Sequence, residues 1–168
     1  MTANRRINVA SGRTLEKLAH YSRALRVGDT VLQSGTTAID RAGNVRGVDD
    51  VAKQVETIMT IAEWSMGKAG GRLADVVRSR IYVTDIQVGD RAARTLARYL
   101  RDARPAATLV QVDGLARPEQ LIEIELDAID GARASARRRP TICRPTGSPC
   151  RVKPQGIEMA GRPSTENA

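Results

Sequence analysis

An α+β fold, a mixed β-sheet with two helices packed on one face, is predicted for residues 1–130 by three features of the sequence. The run Ile122 to Ala128 alternates apolar and acidic residues, the period of a strand buried on one side only. Apolar residues instead recur every three or four positions at Val51, Val55, Ile58, Ala62 and Met66, and again at Ala92, Leu96, Tyr99 and Leu100, which is helical spacing. Gly28-Asp29 separates two strand-like runs and supplies the positive φ of a tight hairpin turn.

The elements follow in chain order. Ile7 to Ala10 reads as a first strand, and Tyr21 to Val27 with Thr30 to Ser34 as a β-hairpin. A second turn lies at Asp40 to Asn44. Asp49 or Asp50 can cap the first long helix by accepting its free amide hydrogens, and Gly70-Gly71 closes it. A strand at Val76 to Thr84 leads into a second helix, Arg91 to Asp102. Pro105 forbids continuation because it has no amide hydrogen and clashes with the preceding turn. Strands at Thr108 to Val112 and Leu121 to Ile129 complete the order β-β-β-α-β-α-β-β.

Alternation assigns the faces. Ile122, Ile124, Leu126 and Ala128 belong to the core, with Glu123, Glu125 and Asp127 opposite. In the strand from Val76, the residues Val77, Ser79, Ile81 and Val83 are expected on one side and Arg78, Arg80, Tyr82 and Thr84 on the other. A face bearing both arginines and carboxylates reads as a subunit contact or cleft in which charges pair, or as a plain solvated surface.

Composition narrows the partners. With no Phe, one Trp and three Tyr, the core is built from aliphatic residues, and association with copies of itself adds buried area. Residues 1–130 carry 19 Lys/Arg against 17 Asp/Glu, whereas residues 131–168 carry 8 against 2, so most of the net charge of +8 belongs to the tail. That tail mixes Pro with Arg, as at Arg137-Arg-Arg-Pro140, and reads as disordered. A near-neutral domain without aromatic platforms argues against a nucleic-acid module, leaving non-specific contacts by the tail. No apolar run approaches a membrane span, and none follows the basic start as a secretory signal requires, so a cytoplasmic protein is expected. Cys143 and Cys150 have no zinc or redox spacing, and with His20 the single histidine, no metal and no cofactor are expected.

No Ser/His/Asp arrangement is present, and His20 reads as a surface residue. Gly67-Lys-Ala-Gly70-Gly71 follows a helix instead of opening one, so it cannot cradle phosphate as a Walker loop does.

Five segments together carry a more specific signal: Tyr21-Ser-Arg-Ala-Leu-Arg-Val-Gly-Asp29, Val31-Leu-Gln-Ser-Gly-Thr36, Asp75-Val-Val-Arg-Ser-Arg-Ile-Tyr-Val-Thr-Asp85, Arg104-Pro-Ala-Ala-Thr-Leu-Val-Gln-Val112 and Leu121-Ile-Glu-Ile-Glu-Leu-Asp-Ala-Ile129. In this order they resemble the RidA (YjgF) family over nearly all of residues 5–130. The resemblance implies a chorismate-mutase-like subunit, a homotrimer, and a small-molecule cleft at each subunit interface. It also implies hydrolytic deamination of reactive enamines and imines, such as 2-aminoacrylate, to the 2-oxo acid and ammonia.

Residue by residue, Ser34 and Gly35 match the family's cleft pair and Tyr21 a cleft tyrosine, all in substrate binding. Glu123, in Ile-Glu-Ile-Glu, matches the carboxylate that orients water or accepts a proton. The family's substrate-binding arginine belongs in Pro-Ala-Arg-Ser/Thr, and here Pro105-Ala-Ala-Thr108 puts Ala107 in its place. Arg104 lies at an odd offset, which turns it to the opposite face if the strand already runs there. Arg117, in the loop before the last strand, is the candidate substitute. Loss of the guanidinium removes a charge-assisted pair worth roughly 1.5 to 3 kcal/mol. Whether the chain is an enzyme therefore stays open. A weakened deaminase stands beside a metabolite-binding protein without catalysis and an RNA-binding or ribonuclease-type module.

Overall fold

The computed structural model of the protein describes residues 6–132. They contain β1 (Arg6–Val9), α1 (Thr14–Leu18), β2 (Ala24–Val27), β3 (Thr30–Thr36), α2 (Val51–Lys68), β4 (Val76–Val83), α3 (Gly89–Leu100), β5 (Ala106–Gln111) and β6 (Ile122–Ile129). The basic tail and both cysteines lie outside the described residues, apart from Gly131 and Ala132.

One six-stranded sheet runs β1-β2-β3-β6-β4-β5. All neighbours are antiparallel except β4 and β5, which pair in parallel across the helical crossover α3. The sheet is therefore mixed, and α2 and α3 pack on each other over its apolar face. From β6 that face receives Ile122, Ile124, Leu126 and Ala128, all fully buried, and from α2 it receives Val55, Ile58, Ala62 and Met66. The aliphatic stripes thus end where their periods put them.

Local chemistry sets the boundaries. Asp50 caps α2 by accepting from the amides of Ala52 and Lys53, while Asp49 adopts φ 61°. At the other end Gly70 takes φ 78°; its amide donates to Gly67 O and that of Gly71 to Met66 O, which ends the helix in a paired cap. Gly28, at φ 58°, turns the β2–β3 hairpin.

Two expectations require correction. Alternation along β4 puts Val77 on the side of Ser79, Ile81 and Val83, yet Val76 is the residue buried there, because a β-bulge between Val76 and Arg78 shifts the register against β6 by one position. From Ser79 onward the alternation holds, with Ser79, Ile81 and Val83 buried. Second, β2 begins at Ala24 instead of Tyr21, since the chain first forms the five-residue α1 and then folds back, the Tyr21 amide donating to Glu16 O. A helix of little more than one turn leaves no periodic signature.

Candidate functional site

The side of the sheet away from the helices is polar. Arg78 faces Asp127 across the β4–β6 ladder, Arg80 faces Glu125, and Tyr82 faces Glu123. Arg80 donates to Glu125 at 3.2 Å and to Asp127 at 3.0 Å, so the charges on this face pair. Exposed Leu32 and Val110 share the face, which makes it partly apolar as well.

A cavity of about 600 Å³ opens at the β1–β3 end of this surface. Tyr21, Ser34 and Gly35 line it, with exposed His20 at its margin and the Arg80 ion-pair group on its floor. The wall is shaped by an irregularity of β3 against β6 between Gln33 and Thr36. Ser34 Oγ donates to Ser22 O at 2.7 Å, so its hydrogen is engaged and only its lone pairs face a ligand. Next to it, Gly35 has no room for a side chain. A Cβ there would overlap Glu123 Oε1 and lie 3.0 Å from Glu123 Cδ. Glu123 is thus pressed against the backbone of the cavity wall, half-buried, and no hydrogen bond to its carboxylate is seen among the described residues. Burial pushes its pKa above the ordinary carboxylate value, and repulsion by Glu125 adds to the rise, while Arg23 opposes it.

Sequence reasoning missed Arg23 and Glu16. Arg23 is 5% exposed and Glu16 4%, and they pair at 3.3 Å. Glu16 also accepts from the Ser11 amide, the Ser11 hydroxyl and the Gly12 amide. Burial raises the Glu16 pKa, but these hydrogen bonds and Arg23 outweigh it and hold the group below the ordinary range. Arg23 reaches from Glu16 to Gly35 O, Thr36 Oγ1 and the Tyr21 hydroxyl. No motif distinguishes it from Arg26 three residues further on; only its place between Tyr21 and the Ser34-Gly35 pair hints at it.

Four of the six candidate residues therefore converge: Tyr21, Ser34 and Gly35 on the cavity and Glu123 against Gly35. Ala107 is elsewhere. It pairs with Ser79 across the parallel β4–β5 ladder and lines a second cavity on the helix side, at the opposite edge of the sheet. Arg117 lines neither cavity; its Nη1 donates to Gly43 O at 2.6 Å. Arg104, which strand parity turned away from Ala107, shares that second cavity with Arg101 and Ala107. The parity condition fails because β5 begins at Ala106 and Arg104 sits in a turn with φ 49°. Among the described residues, no group of three or more His, Cys, Asp or Glu could hold a metal ion, and no helix is long and apolar enough to cross a membrane.

Known proteins share the sequence pattern and the fold. The sequence model of the family described as Endoribonuclease L-PSP matches residues 12–130. The 3-aminoacrylate deaminase RutC of Acinetobacter baylyi is 34% identical over 107 residues, 64% of this chain and 84% of that protein. The crystal structure of Rv2704 from Mycobacterium tuberculosis, a member of the YjgF/YER057c/UK114 family, superposes with a TM-score of 0.68 at 39% identity, covering 74% of this chain and 99% of Rv2704. PA3499 from Pseudomonas aeruginosa, a protein of unknown function, gives 0.64 at 32% identity, covering 80% and 100%. Motifs, sheet order and these likenesses agree, and the chain belongs to the Endoribonuclease L-PSP family, also called the YjgF/RidA family.

Proposed function

We propose that the protein is a homotrimer that hydrolyses reactive 2-imino and enamino acids to 2-oxo acids and ammonia in clefts shared between subunits. The observation that carries this reading is Glu123 lying against Gly35, a half-buried carboxylate of raised proton affinity beside a cavity lined by Tyr21 and Ser34. Such a group can hold a proton for the enamine carbon or imine nitrogen, then accept one from water. The water oxygen adds to C2, the carbon–nitrogen bond breaks, and nitrogen leaves as ammonia. The imine carbon is already electrophilic, so positioning and charge stabilisation suffice. RutC, whose name states deamination of 3-aminoacrylate, is a relative of matching chemistry.

Two features support a shared cleft. Ala107 and the Tyr21 cavity lie on opposite faces of one sheet, so they border one site only if they come from two subunits. Exposed Leu32 and Val110 give the sheet face apolar area to bury in the assembly. In the place of the missing arginine stands Ala107, with Arg104 and Arg101 beside it, and turnover is weakened accordingly. Freshly generated 2-iminopropionate tests the reading: ammonia release above the buffer rate supports it. Background release with pyruvate bound leaves a metabolite-binding protein; background release with no binding removes both. RNA binding is disfavoured because Arg80 and Arg23 are engaged by carboxylates, and any binding is expected to vanish on truncation after Asp130.

A further inference from the structure

The Arg23 side chain makes four hydrogen bonds beside the cavity, and its bonding has a direction. Its Nε donates to Glu16 Oε1 at 3.3 Å, Nη1 to Gly35 O at 2.9 Å and to Thr36 Oγ1 at 3.0 Å, and Nη2 to the Tyr21 hydroxyl oxygen at 2.8 Å. The guanidinium carbon lies 5.3 Å from the centre of the Tyr21 ring. Since the phenol oxygen accepts from Arg23, its own hydrogen is not spent on that bond, and no acceptor for it is seen among the described residues. Tyr21 lines the cavity. The phenol is thereby left as a donor toward whatever occupies that space. The same guanidinium ties down the carbonyl of Gly35, the residue against which Glu123 rests.

A buried ion pair is a poor source of net stability, since desolvation offsets its attraction. A planar fork with donors to four partners is, however, well suited to holding those partners at fixed mutual angles, which an ammonium cannot do. This inference rests on the proposed deamination cleft. We propose that Arg23 is a positioning residue: without touching the ligand, it fixes the Tyr21 phenol as a hydrogen-bond donor to the bound imino acid and anchors the Gly35 backbone behind Glu123.

The test uses the full chain and four proteins: the parent, Tyr21→Phe, Arg23→Lys and the double variant carrying both. Arg23→Lys keeps a cation beside Glu16 but loses the fork. Should it fail to fold, Arg23→Met combined with Glu16→Leu replaces the buried pair by apolar groups of similar volume, a change such pairs commonly tolerate. Turnover of 2-iminopropionate and calorimetric binding of pyruvate are measured on each folded protein. Loss of Tyr21's donation is expected to lower kcat by about ten- to a hundred-fold with KM changed far less. Arg23→Lys, or the apolar pair, is expected to lower kcat at least as far as Tyr21→Phe, because the hold on Gly35 is lost along with that on the phenol, and the double variant is expected to be no worse than the poorer single. A folded Arg23 variant with parental kcat, or effects that multiply, overturns the positioning role while leaving the deaminase intact. If the parent binds pyruvate without turnover, the deaminase reading fails, and the positioning role stands only if binding shows the same non-additive pattern. A parent that does neither removes both.

Discussion

Glu123 occupies the volume that a side chain at position 35 needs, so the glycine and the carboxylate define each other's place in the cavity wall. Gly35→Ala is expected to push the carboxylate aside by an ångström or so. The cost of such a displacement in a positioned site is about a hundred-fold in rate. Measurement of kcat/KM alongside the unfolding midpoint checks it: activity falls steeply, stability little.

The position of Glu123 also fixes the sign of a pH effect. A carboxyl whose pKa is raised on folding binds more protons in the folded than in the unfolded chain, so stability falls as pH rises from its ordinary value near 4.5 through the raised folded value. Glu123→Gln removes that titration. Urea unfolding at neutral pH is expected to show the variant more stable than the parent, the gap closing as the pH is lowered to where both forms of the parent are protonated, while turnover is lost.

Glu16 behaves in the opposite sense. Its pKa is lowered on folding, so its contribution is present above the ordinary value of 4.5 and is lost as pH falls through the folded value. Glu16→Ala leaves Arg23 buried without its carboxylate, at a cost of about 3 to 5 kcal/mol in urea unfolding. Replacing both partners by Met and Leu is expected to be far milder.

Ala107→Arg restores the guanidinium that the family motif carries. If β5 of one copy borders the Tyr21 cavity of the next, pyruvate affinity is expected to rise about ten- to a hundred-fold, the effect of roughly 1.5 to 3 kcal/mol for a charged hydrogen-bonded pair. An unchanged affinity in calorimetry separates position 107 from the ligand.

Much of this architecture is legible in the residues themselves. The β6 alternation and the stripes of α2 and α3 reach the structure unchanged because burial against one face enforces a fixed period. Val76 and Val77 exchange roles because a bulge is a property of the pairing with β6, invisible in one strand alone. Tyr21, Ser34, Gly35 and Glu123 are legible through motif likeness alone, and the structure adds why the glycine is required. Arg23 and Glu16 escaped since their partnership spans a short helix with no period and a hairpin with an extra charge. Strand parity turns Arg104 away from Ala107 only inside a strand, and the chain there turns with positive φ.

The most direct measurement is a crystal structure of the full-length protein with pyruvate. The expected result is a trimer with pyruvate held among Tyr21, Ser34 and Glu123 of one copy, its carboxylate directed toward Ala107 and Arg104 of the next. A monomer, or pyruvate bound away from Gly35 and Glu123, contradicts the shared cleft.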